Sequence, residues 1–160
     1  MHTENRGWIR ATPDIVYQLA AEIERWPLLL EHYRYVKVLE DLEHTDTTQS
    51  RLVKMSATRT GIPTSWTSVQ TLYPGAHEIR YHWLKGIPKG MDVIWRIEPS
   101  GDGVEVTIDH DLERLRWRWL RNPLAEYVIG RVFIEHVAGK TLAGIKRHAE
   151  ARMRLTAWPA

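Results

Sequence analysis

Apolar residues alternate with polar ones along most of residues 35–112, and the pattern then changes to a helical repeat from 122 to about 152. A period of two marks strands with one buried face, and a period near 3.6 marks an amphipathic helix. Six strands are predicted over 35–41, 47–58, 64–73, 78–85, 91–98 and 104–112. Turn residues at 44–46, at Pro74 and Gly75, and at 99–103 separate several of them. Such short, regular connections make antiparallel hairpins. Ahead of these, residues 4–10 read as a first strand carrying Trp8. Thr12 and Pro13 then open a helix whose apolar side is Ile15, Val16, Leu19, Ala20 and Ile23. Trp26 and Pro27 interrupt it, because proline disfavours helical geometry in the residue before it. A second short helix is therefore expected over 28–32. The order is one strand, two short helices, six strands and one long helix, an α+β arrangement.

The long helix has a well-marked start. Asn122 offers a capping oxygen, and Pro123 lacks an N–H at a position where none is needed. At 100° per residue, Gly130, Phe133, Ile134, Val137, Ala138, Thr141, Ile145, His148 and Ala149 share one arc. Glu135, His136, Lys140, Lys146, Arg147 and Glu150 fall on the other. An apolar stripe about 45 Å long needs a broad partner, and a curved sheet made by the preceding strands is the simplest. The inner arc is thin. Gly130, Gly139 and Gly144 each cost about 1 kcal/mol against alanine in a helix. With Ala138 and Thr141 they either bring helix and sheet close or leave room for a ligand between them.

Composition narrows the function classes. A chain of 160 residues, 43% hydrophobic and 26% charged, can build a sizeable core in one domain over 1–160. A net charge of +2 makes no case for nucleic acid. Without cysteine, disulfides, thiolate metal sites and cysteine nucleophiles are excluded. No apolar run reaches the length of a membrane span, and residues 1–6 do not read as a signal peptide. A cytoplasmic protein is expected. No nucleophile elbow, phosphate loop or dinucleotide fingerprint occurs, and the eight histidines form no tight constellation with carboxylates. Neither metal nor other cofactor is expected. Eight tryptophans against one phenylalanine alter the picture more. An indole gives a wide flat surface and an N–H in need of a partner, so these rings either pack a core or border a cavity.

Three stretches carry a resemblance: Glu22-Ile23-Glu24-Arg25-Trp26-Pro27 followed by Tyr33, Ser65-Trp66-Thr67-Ser68, and Met91-Asp92-Val93-Ile94-Trp95. With the element order, the chain resembles the START-like helix-grip superfamily over nearly its whole length, and most closely the single-domain polyketide aromatase/cyclases. The resemblance implies a seven-stranded antiparallel sheet wrapped around the long C-terminal helix, two short helices between strands 1 and 2, and a deep apolar cavity. It implies Trp26, Tyr33, Trp66, Ser68, Gln70, His82 and Trp95 as cavity residues. Alternation agrees for Trp66, Ser68 and Gln70, which are two apart on one strand. The cyclases carry arginine, which holds or polarises polyketide oxygens, where this chain has Gln70 and His82, and asparagine where it has Val137.

Folding a poly-β-ketone into an aromatic ring takes enolisation, carbon–carbon bond formation and loss of water, helped by acids, bases and donors facing developing enolates. The imidazole of His82 can shuttle a proton, Tyr33 and Ser68 can donate to a carbonyl, and Gln70 can orient a group without exchanging a proton. His82, Tyr33 and Ser68 are thus the catalytic candidates. Against this, Ile79, Tyr81 and Trp83 form the more apolar face of the same strand, which would turn His82 outward. His110 shares a face with Val104, Val106, Ile108 and Leu112 and reads as a core or pocket histidine. The expected ligand contacts are Trp26, Trp66, Gln70, Trp95 and His110 with Phe133, Val137 and Thr141 of the helix. Two functions fit: binding, with or without cyclising, an aromatic or polyketide-like molecule, and noncatalytic carriage of a lipid or quinone, by a monomer or homodimer. Arg114, Arg116 and Arg118 alternate with Leu115, Trp117 and Trp119. Their guanidinium groups either cover indole faces or dock on an acyl carrier protein or an anionic membrane surface.

Overall fold

The computed structural model describes residues 2–86, 89–112, 124 and 133–156. Among these, seven strands form one antiparallel sheet: β1 (His2–Ile9), β2 (Tyr33–His44), β3 (Gln49–Arg59), β4 (Ile62–Tyr73), β5 (Glu78–Lys85), β6 (Asp92–Ser100) and β7 (Gly103–Asp111). Their order is β1-β7-β6-β5-β4-β3-β2, so strands from β2 to β7 are a simple meander and β1 pairs with the last of them. The chain must then cross from one sheet edge to the other between β1 and β2. It does so through α1 (Pro13–Ala21), a 3-10 turn (Ile23–Arg25) and α2 (Trp26–Leu29), packing on β5 and β6 on the way. The long helix, α3 (Glu135–Thr156), lies on the inner face.

Local chemistry explains most element boundaries. Thr12 caps α1, its Oγ1 accepting from the Ile15 amide at 3.3 Å, with Pro13 in the first turn. The break expected at Trp26 and Pro27 falls earlier. α1 ends at Glu22, whose φ of −80° and ψ of 63° leave the helical region. Pro27 instead lies in the first turn of α2, where its missing N–H would have had no intrahelical partner. The β3–β4 hairpin turns at Thr60 and Gly61, with φ of 47° and 80°, the left-handed pair that suits a two-residue connection between twisted strands. α3 runs to Thr156, beyond the expected end near 152. Its expected start at Asn122 and Pro123 lies outside the described residues.

Alternation selects the buried face on each central strand. Ile79, Tyr81 and Trp83 of β5, Val93, Trp95 and Ile97 of β6, and Val104, Val106, Ile108 and His110 of β7 all point inward. They meet Val137, Ala138, Thr141, Leu142, Ile145 and Ala149 of α3. Removing such a large apolar residue from water is worth roughly 1.5–3 kcal/mol, which makes this layer the main source of stability. The thin helix face has a local cause at Gly144, where an added Cβ would come within 2.2 Å of Leu30 Cδ2. Close approach governs that turn. The turn before it, at Ala138 and Thr141, borders open space instead.

Candidate functional site

Sheet and helix do not close completely at that turn. Between them lies a cavity in which about 60 Å³ is open to the centre of a water molecule, against roughly 10–15 Å³ needed for one water. Its total free space, including the solvent-filled mouth, is about 510 Å³. Trp26 and Tyr33 border it from α2 and the start of β2, and Met55 from β3. Trp66, Tyr81, Trp83, Val93, Trp95, Ile108 and His110 supply the sheet side. Phe133, Ile134, Val137, Ala138 and Thr141 supply the helix side.

The aromatic rings form a continuous wall. Trp26 lies 5.0 Å from Tyr33 and 6.0 Å from Trp95 between ring centroids, and Tyr33 lies 6.4 Å from Trp66. The Trp26 Nε1–H donates to Leu19 O at 2.9 Å. Its polar edge is thereby satisfied by α1, and the remainder of the ring is available to the cavity.

Four polar side chains interrupt this wall, Tyr33, Tyr81 and His110 from the sheet and Thr141 from the helix, with His32 behind Thr141. Thr141 donates to Val137 O at 2.7 Å within the helix. Its one hydroxyl proton is shared at longer range with the Tyr33 hydroxyl, which accepts at 3.4 Å, so His32 Nε2 at 2.9 Å must donate to the Thr141 oxygen. Burial pushes the Tyr33 phenol well above its ordinary pKa and keeps it protonated. Burial also lowers the His32 pKa to about 4, aided by nearby Lys140 and His136. His110 is likewise lowered to about 4, chiefly by burial, with Asp109 opposing and His2 assisting. Its Nδ1 is buried without a hydrogen-bond partner among the described residues. At neutral pH the cavity therefore holds protonated phenols and a neutral imidazole.

Several expected site residues do meet here: Tyr33, Trp26, Trp66, Trp95, His110, Phe133, Val137 and Thr141. Three positions need correction. His82 stands on the outer face of β5, half exposed, with Nδ1 2.6 Å from Asp92 Oδ1. Its neighbours Tyr81 and Trp83 take the inward positions because a strand sends successive side chains to opposite faces. Ser68 is fully buried but does not border the cavity, and its Oγ has no partner among the described residues. Gln70 is also fully buried and off the cavity lining; Arg51 Nε and Nη2 donate to its Oε1 at 3.0 and 2.6 Å, and its Nε2 donates to the Tyr81 hydroxyl at 3.1 Å. Arg114, Arg116 and Arg118 lie outside the described residues.

Tyr81, Trp83, His32 and Arg51 join the site without having been singled out. The first two carried a signal in the apolar alternation of β5. His32 and Arg51 carried none, because their partners are distant in sequence. Away from the cavity, His2, Glu4 and Asp109 place potential metal-ligand atoms within 4.8 Å of one another. Glu4 and Asp109 already pair with Arg6 and Arg96 on the outer sheet face. No described helix is long and apolar enough to cross a membrane.

The geometry agrees with comparisons to known proteins. Residues 9–133 match a family model described as polyketide cyclase/dehydrase and lipid transport. A Streptomyces halstedii protein, provisionally named a polyketide cyclase, is 31% identical over 104 residues, which are 64% of this chain and 93% of that one. The crystal structure of the Zhui aromatase/cyclase from a Streptomyces species superposes with a TM-score of 0.80 at 20% identity, covering 99% of each chain. A START superfamily protein from Mycobacterium smegmatis superposes with a TM-score of 0.68 at 15% identity, covering 94% of this chain and 97% of that one. At these identities the two structures speak for the START-like helix-grip fold alone.

Proposed function

The chain belongs to the polyketide cyclase/dehydrase and lipid transport family, and we propose that residues 1–160 act as one domain that binds a hydrophobic aromatic or polyketide-like molecule between sheet and α3. The observation that carries this reading is a wall of four indoles, Trp26, Trp66, Trp83 and Trp95, interrupted only by a few polar groups. Flat rings gain contact area on indole faces, while sparse polar groups set orientation. The chemistry the site supports is cyclisation with dehydration. His110, neutral at pH 7, would take a proton from a methylene between two carbonyls, and Tyr33 would donate to the developing enolate oxygen. The enolate carbon would then close on a second carbonyl of the same molecule, and loss of water would complete the ring.

One observation favours a second reading, noncatalytic carriage of a lipid or quinone. Gln70 and His82 bring no charge to the cavity, the first being tied to Arg51 and Tyr81 and the second exposed on the outer face. Native mass spectrometry of the purified protein, paired with turnover of a poly-β-ketone mimic, separates the two. A bound aromatic polyketide and turnover lost in Tyr33→Phe support the enzyme; a retained isoprenoid or fatty acyl species without turnover supports the carrier. Absence of any hydrophobic ligand, with no binding of added ones, would sink both. Docking of an acyl carrier protein or an anionic membrane at Arg114, Arg116 and Arg118 belongs to the same proposal. Unchanged binding to acidic carrier protein and anionic vesicles after serine replacement of all three would remove it.

A further inference from the structure

We infer that Tyr81 donates a hydrogen bond to the ligand, with its direction fixed by Arg51 through Gln70, so the site selects molecules that present an oxygen acceptor over hydrocarbons of the same shape. This rests on the cavity being the ligand site. Arg51 on β3 reaches Gln70 Oε1 with both Nε and Nη2. A guanidinium has donors only, so the amide oxygen must face it and the Gln70 amide cannot be flipped. The Nε2 group is thereby turned toward the Tyr81 hydroxyl at 3.1 Å and Ala21 O at 3.4 Å. An amide nitrogen also has donors only, so Tyr81 Oη is the acceptor in that contact.

The phenolic proton of Tyr81 is left over. No hydrogen bond among the described residues takes it, although the residue is buried and borders the cavity. Arg51 is itself held in place, paired with Glu24 and donating from Nη2 to Ala21 O at 3.3 Å, with its side chain only 13% exposed. Burial raises the Tyr81 pKa far above its ordinary value, so the proton stays on the oxygen at neutral pH. A buried donor without an acceptor is unfavourable. A carbonyl or phenolic oxygen of the ligand relieves it, and a hydrocarbon does not. A guanidinium on the adjacent strand thus acts on the cavity through an amide and a phenol.

The test compares 2-acetylnaphthalene with 2-isopropenylnaphthalene, which differ by C=O against C=CH2 in one planar frame, by calorimetric titration. Wild-type protein is expected to bind the ketone at least about tenfold more tightly, the size of one hydrogen bond. Tyr81→Phe should erase that ratio while leaving the hydrocarbon's affinity in place. Gln70→Glu should erase it too, although the hydroxyl remains, because a carboxylate beside Arg51 can only accept and would draw the Tyr81 proton away from the ligand. Equal affinities in wild type, or a ratio that survives Tyr81→Phe, would overturn the inference while leaving the cavity as a ligand site. Failure of both probes to bind wild type would instead overturn the cavity reading. Should the variants fold poorly, the carbonyl stretch of the ketone bound to wild type decides: a shift to lower frequency than in an apolar solvent supports the donor, and an unshifted band refutes it.

Discussion

The indole of Trp83 lies parallel to that of Trp66, with ring centroids 4.8 Å apart and planes inclined by 6°. Trp83 is the register partner of Ser68, two residues along β4 from Trp66, so the rings meet diagonally across adjacent strands, next to a register irregularity between Thr67 and Ser68. The stack forms one side of the cavity and part of the core. Trp83→Ala is expected to cost about 3–5 kcal/mol of stability, the usual penalty for deleting a large buried aromatic ring. Trp83→Leu should cost less but lower the affinity for aromatic over aliphatic ligands. Urea unfolding and parallel titrations of the two ligand classes check both outcomes.

Stability should fall on mild acidification. His110 and His32 each have their pKa lowered from 6.5 to about 4, chiefly by burial. Both are neutral in the folded chain, while the unfolded chain protonates them first. Between about pH 6.5 and 4 the unfolded state therefore binds more protons, and stability present above 6.5 is lost as pH falls through this window. His110 alone should contribute on the order of 3 kcal/mol across it. Urea midpoints measured from pH 7 to 4.5 should decline, and His110→Phe should flatten the decline. A rise in stability over the same range would contradict the assignment.

Thr141 joins the helix to the two aromatic residues beneath it, accepting from His32 while donating to Val137 O and, at longer range, to the Tyr33 hydroxyl. Thr141→Val keeps the shape and removes the hydroxyl, stranding the buried His32 donor and taking a donor from Tyr33. A loss of about 1–3 kcal/mol is expected, with Thr141→Ser restoring most of it. Thermal or urea unfolding of the pair measures the difference.

His82→Ala should leave ligand affinity and any turnover unchanged. The ring is half exposed on the outer face and, among the described residues, pairs only with Asp92, so the stability change should stay below about 1 kcal/mol. Loss of activity in this variant, with the fold intact by circular dichroism, would return His82 to the site.

Periodicity made the strands, the Thr12 cap and the inward face of β4 legible before any coordinates. The expected seven-stranded sheet with its C-terminal helix is the one found, though Trp26 and Pro27 begin a helix where a break was expected. The site was legible where one residue's position on a strand or helix suffices, as for Trp66, Trp95, His110 and Thr141. It was misread at His82, where the family's pattern outweighed the apolar face of Ile79, Tyr81 and Trp83. It was invisible where contacts join distant segments. Nothing local announces that Arg51 will bind Gln70, its register partner on the neighbouring strand, or that His32 will meet Thr141 some hundred residues later. Gln70 also shows that facing inward is not the same as facing the cavity, since its polar groups are already taken by neighbours.

The cavity claim is tested most directly by following the indole N–H signals of 15N-labelled protein during titration with 2-acetylnaphthalene. Trp26, Trp66, Trp83 and Trp95 border the cavity, whereas Trp8 lies 39% exposed outside it and serves as an internal control. The account predicts saturable shifts in those four signals and none at Trp8. Shifts confined to Trp8, or no shift at any of the four, would contradict it.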